Sequence, residues 1–279
     1  MKIHTTIHLR TAFITIAVLA IGLAVLAGSC QGPQGYKSNS EAIQLNDAGM
    51  KLYSTGQLDR ASMYFDRALQ ADATNPAIWI NKGQVLDAQH KYDQAIEAYD
   101  KAIQLDANFA DAWNSKAVSC YNQEKTSQAL EAINKAIAIN GNVASYWANK
   151  GLILMVNQDY KGAADCFGKA TSLASEVPEY WTWKANAQVM SRQFEAAIAS
   201  CDKALSLDEN NALAWGYKAK ALHELRRYDE ALVAFDKALA LQPNAPGLWY
   251  SKGLTLETLH RVDEAQKCYD KAKALGYKF

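Results

Sequence analysis

Residues 76–109 read PAIWINKGQVLDAQHKYDQAIEAYDKAIQLDANF, and residues 246–279 read PGLWYSKGLTLETLHRVDEAQKCYDKAKALGYKF. Laid over each other without a gap, the two segments place Trp79 on Trp249, Gly83 on Gly253, Ala95 on Ala265, Tyr99 on Tyr269 and Ala102 on Ala272. The same spacing runs through the chain between them. Trp79, Trp113, Trp147, Trp181, Trp215 and Trp249 stand 34 residues apart, which places six of the seven tryptophans on one ladder. Two alanine ladders keep step with it, one from Ala61 to Ala265 and one from Ala68 to Ala272. Counted from Ala42, seven units cover residues 42–75, 76–109, 110–143, 144–177, 178–211, 212–245 and 246–279 with no insertion.

Within a unit, positions 4, 7, 8 and 11 share one helical face, and positions 20, 24 and 27 share a face of a second helix. A small residue at position 8 and alanines at 20 and 27 let two such helices approach closely. Asp59, Asp93, Asp229 and Asp263 stand where the second helix should begin and are expected to cap it. Pro76, Pro178, Pro243 and Pro246 fall at unit boundaries, where helices stop. The Lys recurring at position 7 is read as laying its methylenes on apolar surface with its ammonium in water. A helical hairpin of this kind cannot bury its apolar face alone, so neighbours must stack. Leu232 and Leu239 should face a following unit, whereas Gln266 and Lys273 at the same positions of the last unit make a polar outer face suited to ending the stack.

The period and the W…G…A…Y…A pattern resemble the tetratricopeptide repeat. The resemblance covers residues 42–279, with Lys in place of the motif's Leu at 82, 116, 150, 184, 218 and 252, and Ala for Gly at Ala117, Ala185 and Ala219. It implies an all-α fold: an α-solenoid of seven helix-turn-helix repeats forming a right-handed superhelix. It also implies a concave face lined by first-helix positions near 2, 5, 6, 9, 12 and 13. In the middle repeats those positions hold Val118, Tyr121 and Asn122, then Asn149, Leu152, Met155 and Val156, then Trp183, Asn186, Val189 and Met190. Trp183 lies two residues after Trp181, about 200° around a helix, so the two rings should point to opposite faces. Apolar and Met-rich surface in a groove implies a protein or peptide ligand, set against the alternative that these side chains pack on neighbouring helices. Family members that clamp acidic chaperone tails use lysine at position 5. Here that position holds Asn46, Ile80, Asn114, Ala148, Thr182, Gly216 and Tyr250, so a clamp of that kind is not expected.

No phosphate loop, metalloprotease motif or nucleophile elbow occurs, and catalysis is not expected. Neither is a cofactor or a metal: the five histidines are scattered and no CxxC pair exists. His90 and His260 both occupy position 15, read as a surface turn. Cys120, Cys166, Cys201 and Cys268 are read as buried thiols rather than disulfide partners. With 29 basic and 29 acidic residues the chain offers no charge footprint for nucleic acid, and it is expected to be monomeric apart from its partners.

The first residues read differently. Lys2 and Arg10 precede an apolar run over residues 12–27, and Leu26-Ala27-Gly28-Ser29-Cys30 follows. A basic start, an apolar stretch and small residues make a secretory signal. Small residues before a cysteine resemble the lipobox of bacterial-type lipoproteins, which implies a cleaved signal over residues 1–29 and a lipid on Cys30. The alternative is a single uncleaved N-terminal transmembrane helix, since residues 11–36 carry no charge and are long enough to span a bilayer. Both alternatives leave the repeats on the extracytoplasmic side. Residues 30–41 then form the lipidated cysteine and a polar, flexible tether.

Overall fold

A computed structural model describes residues 39–278. The expectations for the leader, for Cys30 and for most of the tether lie outside these residues. Among the described residues there are fourteen helices and no strand. They run as hairpins: α1 (Ser40–Ser54) with α2 (Leu58–Ala71), α3 (Pro76–Ala88) with α4 (Tyr92–Leu105), and α5 (Ala110–Asn122) with α6 (Thr126–Ile139). Then follow α7 (Ala144–Val156), α8 (Tyr160–Leu173), α9 (Pro178–Met190), α10 (Phe194–Leu207), α11 (Ala212–Glu224), α12 (Tyr228–Leu241), α13 (Pro246–Thr258) and α14 (Val262–Ala274). The chain divides into two compact units, residues 39–149 and 150–278, with the division inside α7. In the first unit each helix from α1 to α5 packs on its successor, and the first helices of successive hairpins also meet, α1 on α3 and α3 on α5. In the second unit the same order runs from α8 to α14, with α9 on α11 and α11 on α13.

The alanine ladders are the seams of these hairpins. Ala61, Ala68, Ala95, Ala102, Ala129 and Ala136 in the first unit are fully buried, as are Ala163, Ala170, Ala197, Ala204, Ala231 and Ala238 in the second. The alternation of Gly and Ala at position 8 follows the residue it faces at position 24. Gly83 faces Tyr99, Gly151 faces Phe167 and Gly253 faces Tyr269, and a Cβ added at these glycines would lie 2.4, 2.7 and 2.5 Å from the ring. Ala117 and Ala185 belong to repeats whose position 24 is the smaller Ile133 or Cys201; Ala219, whose partner is Phe235, is the exception.

The turns between repeats follow one plan. The second helix ends when the amide at position 31 donates to the alanine carbonyl at position 27, as in Asp72 to Ala68 and Asp208 to Ala204. An Asp or Asn there then accepts from the amide two residues on, as in Asp106 from Asn108 and Asp208 from Asn210. The ladder tryptophan completes the turn: Nε1 of Trp79, Trp113, Trp147, Trp181, Trp215 and Trp249 donates to the carbonyl six residues earlier at 2.8–3.0 Å. These rings are therefore part-buried covers of the inter-repeat turn, with an indole N–H that holds a loop carbonyl. The turn within a hairpin carries position 15 in the left-handed region in every repeat. Gly56 stands there once, and His90, Glu124, Gln158, Arg192, Arg226 and His260 adopt φ of 59 to 63°.

Two expectations need correction. The aspartates of the second helices are not their caps. The cap positions are Gln57, Lys91, Arg227 and Arg261, and the aspartates lie inside the first turn, where the helix dipole favours them. There Asp59 accepts from Gln89 Nε2 at 2.8 Å, and Asp93 from Gln123 Nε2 at 2.9 Å and Lys125 Nζ at 3.2 Å, links from one repeat to the next. The position-7 lysines also do more than rest on the surface. Lys82 pairs with Asp66, Lys116 with Asp100 and Lys218 with Asp202, each at 2.6 Å, and Lys252 with Asp236 at 2.5 Å. Each lysine reaches back to the preceding second helix, so the pairs mark the register of one hairpin on the next. With half-exposed carboxylates each is worth about 0.2–1 kcal/mol.

The four thiols of the repeats are free and buried. Burial pushes Cys166 up to about 11 and Cys201 up to about 12.

Candidate functional site

First helices that lie side by side divide their outward positions in two. Positions 5 and 6 lie in the seams between neighbouring first helices, position 6 of one repeat meeting position 5 of the repeat before it. Ile80, Asn81, Asn114, Ala148, Asn149 and Thr182 are all buried. Their polar groups pair across the seam: Asn81 Nδ2 donates to Asn46 Oδ1 and Asn149 Nδ2 to Asn114 Oδ1, both at 2.8 Å. At Gly216 an added Cβ would lie 2.9 Å from Leu248 Cδ2, which shows how closely α11 and α13 approach. Positions 9, 12 and 13 face outward and, Leu152 apart, are half-buried or exposed.

The expected groove residues separate along this line. Asn149 is a seam residue, and Leu152 at position 9 is buried as well; neither presents its side chain to a ligand. In the first unit Val118, Tyr121 and Asn122 are half-buried, and burial pushes the Tyr121 phenol up to about 12. In the second unit Met155, Asn186 and Val189 are half-buried, while Val156 and Met190 are exposed. Trp183 at position 6 is half-buried, with its ring centroid 5.9 Å from that of Phe167 in the core and 5.8 Å from that of Tyr180. One side of the indole is thus spent on packing.

The structure brings Val189 and Met190 together with residues that the reading of the middle repeats passed over. A cleft of about 440 Å³ opens between α9, α11 and α13, with Phe235 beneath it and Lys220, His223 and Leu254 on its walls. The missed residues were within reach, because Lys220 and His223 repeat the register of Asn186 and Val189 34 residues later and Leu254 repeats that of Lys220. His223 Nδ1 lies 3.0 Å from Thr255 Oγ1. The Thr255 hydroxyl hydrogen is given to the Ser251 carbonyl at 2.9 Å, so Nδ1–H is the donor to Thr255.

In the first unit the equivalent position 12 holds Asp87. Its carboxylate accepts from Tyr99 OH at 2.7 Å and from Ser119 Oγ at 2.6 and 2.8 Å, a tie between two repeats. Burial outweighs these hydrogen bonds and raises the carboxyl to about 6. Its charge in turn raises the phenols of Tyr53 and Tyr92, behind their own burial.

Among the described residues no group of three or more His, Cys, Asp or Glu gathers as metal ligands would. No described helix is long and apolar enough to cross a membrane.

Comparison with known proteins agrees with this geometry. Family models described as tetratricopeptide repeat match residues 76–109 and 212–245, residues 110–143 and 246–275, and residues 148–212. A comparison with curated protein sequences gave no match. Among solved structures, YrrB, described as a TPR protein with an unusual peptide-binding site, is similar over 64% of this chain and 92% of its own, at 20% identity and a TM-score of 0.58. PilF of Pseudomonas aeruginosa is similar over 79% of this chain and 97% of its own, at 17% identity and a TM-score of 0.65. A tetratricopeptide repeat protein from Parabacteroides merdae is similar over 86% and 95%, at 17% identity and a TM-score of 0.63. At these identities the likeness concerns the fold. With hairpins of the expected period, alanine seams and family matches across residues 76–143 and 148–275, the chain belongs to the tetratricopeptide repeat family.

Proposed function

We propose that this protein is a non-catalytic binding scaffold that takes a peptide or helix of a partner protein on the outward positions of its first helices. The observation that carries this reading is the second-unit cleft. Met190 is 46% exposed and Leu254 37% exposed, and both line the same concavity as Val189. Large apolar side chains left accessible around a concavity favour a partner, and methionine adapts to varied apolar shapes. The likeness to YrrB, a protein with a peptide-binding site, supports the same mode.

The reading includes a place for the scaffold. A lipid on Cys30 and the tether behind it hold the repeats at the extracytoplasmic face of a membrane, a part supported by the leader sequence alone.

Two experiments test these parts. Crosslinked pull-down from native membranes should recover a partner with the parent chain and with Val233→Glu, an exposed residue on α12. Recovery should fall sharply with Met190→Glu. Equal recovery with Met190→Glu would remove the cleft from the reading. For the tether, Cys30→Ala should abolish lipid labelling and alter processing. Unchanged mass and membrane retention would favour the uncleaved helix instead.

A further inference from the structure

The cleft holds a charge that a purely apolar groove does not require. Lys220 and Lys218 lie two residues apart on α11 and so point to opposite sides of it. Lys218 is neutralised by Asp202 at 2.6 Å and lies 5.4 Å from the centroid of the Trp215 ring. Lys220 points into the cleft instead. It is half-buried, with Nζ 5.9 Å from the centroid of the Tyr217 ring, and no described carboxylate pairs with it. Loss of water around the ammonium lowers its proton affinity from the usual lysine range, the sign of a cation without a compensating anion.

The surroundings favour an anion from outside. Arg192 is a second cation on the lining, with its guanidinium 5.7 Å from the centroid of the Phe194 ring. Glu224 is the one carboxylate among the lining residues, and it is exposed. His223 directs its Nδ1–H to Thr255 and adds no negative charge. Two cations against one solvated carboxylate leave the cleft net positive. The same lining carries Met190 and Leu254, which can accept an apolar side chain.

We infer that the cleft is a subsite for an acidic–apolar peptide motif, in which an Asp or Glu side chain pairs with Lys220 and an adjacent large apolar side chain rests on Met190 and Leu254. This rests on the binding reading above and names the partner chemistry. A carboxylate from outside restores the charge balance that no described residue supplies, and the excluded water makes that pair stronger than one on the open surface.

The test is selection of random peptides displayed on phage, fused so that their C-termini are not free, against the full-length chain. Bound sequences should be enriched in Asp or Glu next to Leu, Ile, Phe or Met. Synthetic versions should lose about tenfold or more in affinity on Lys220→Met, which keeps the apolar stem and removes the charge, and recover most of it on Lys220→Arg. Lys218→Met, on the other side of the helix, should leave affinity unchanged. Peptides that bind and are blocked by Met190→Glu, yet show no acidic enrichment or ignore Lys220→Met, would overturn the subsite and leave the binding reading standing. Peptides that bind irrespective of Met190→Glu, or the absence of any binding peptide, would overturn both.

Discussion

Asp87→Asn offers a measurement in which the sign and size both come from the structure. The Asp87 carboxyl has a folded value of about 6 against an ordinary value of 3.8, because burial disfavours the charge more than Tyr99 and Ser119 favour it. Between those two values the folded chain binds more proton than the unfolded chain. Stability contributed by this group is therefore present at low pH and falls as pH rises toward 6, the reverse of a salt-bridged carboxylate. A difference of 2.2 between the two values corresponds to about 3 kcal/mol at about 1.4 kcal/mol per unit. Asparagine has nothing to titrate, and its amide can accept from one hydroxyl and donate to the other. Urea unfolding of both proteins across pH should show Asp87→Asn gaining on the parent by up to about 3 kcal/mol, mostly between about pH 4 and pH 7. Taking the difference cancels carboxylates such as Asp93 and Glu264, whose values are lowered by their partners Gln123 and Arg261. A difference that stays flat with pH would show that burial does not outweigh the hydrogen bonds from Tyr99 and Ser119 and would refute the raised value on which the prediction stands.

Three further predictions concern the repeat plan. Trp215→Phe keeps the ring over the turn and removes the N–H given to the Glu209 carbonyl at 3.0 Å; thermal unfolding should show a loss of about 0.5–1.5 kcal/mol. Gly83→Ala would place a Cβ 2.4 Å from the fully buried Tyr99 ring and should cost about 1–3 kcal/mol in chemical denaturation, despite the better helix propensity of Ala. Lys184 lacks the carboxylate partner of its counterparts because Gly168 stands at that position, 3.9 Å from the lysine tip by an added Cβ; Gly168→Asp should raise stability by up to about 1 kcal/mol, measured by calorimetry, and the gain should shrink in high salt.

The hairpins were legible because their seams are written in residue size. Alanine at positions 20 and 27 and a small residue at position 8 recur in every repeat, and close approach of two helices admits little else. The candidate site was legible only in part. Val189 and Met190 were named from their position, and the structure sets them in a cleft. Asn149 and Leu152 were named by the same register and are buried, since a position number gives a direction around one helix and not the distance to the next. Lys220 was passed over because a lysine on a helix resembles any solvated lysine until its neighbours are known.

Sequence alone determined the period, the helix pairs, the repeat boundaries and the absence of familiar catalytic motifs. These depend on local spacing and on contacts repeated identically along the chain. Only the tertiary structure decided that the tryptophans close the inter-repeat turns, that four of the position-7 lysines reach back to the preceding aspartates, that Asp87 is half-buried between two repeats and that Lys220 stands without a carboxylate. Each of these depends on which side chain of one repeat meets which side chain of another, and on how much water is left between them.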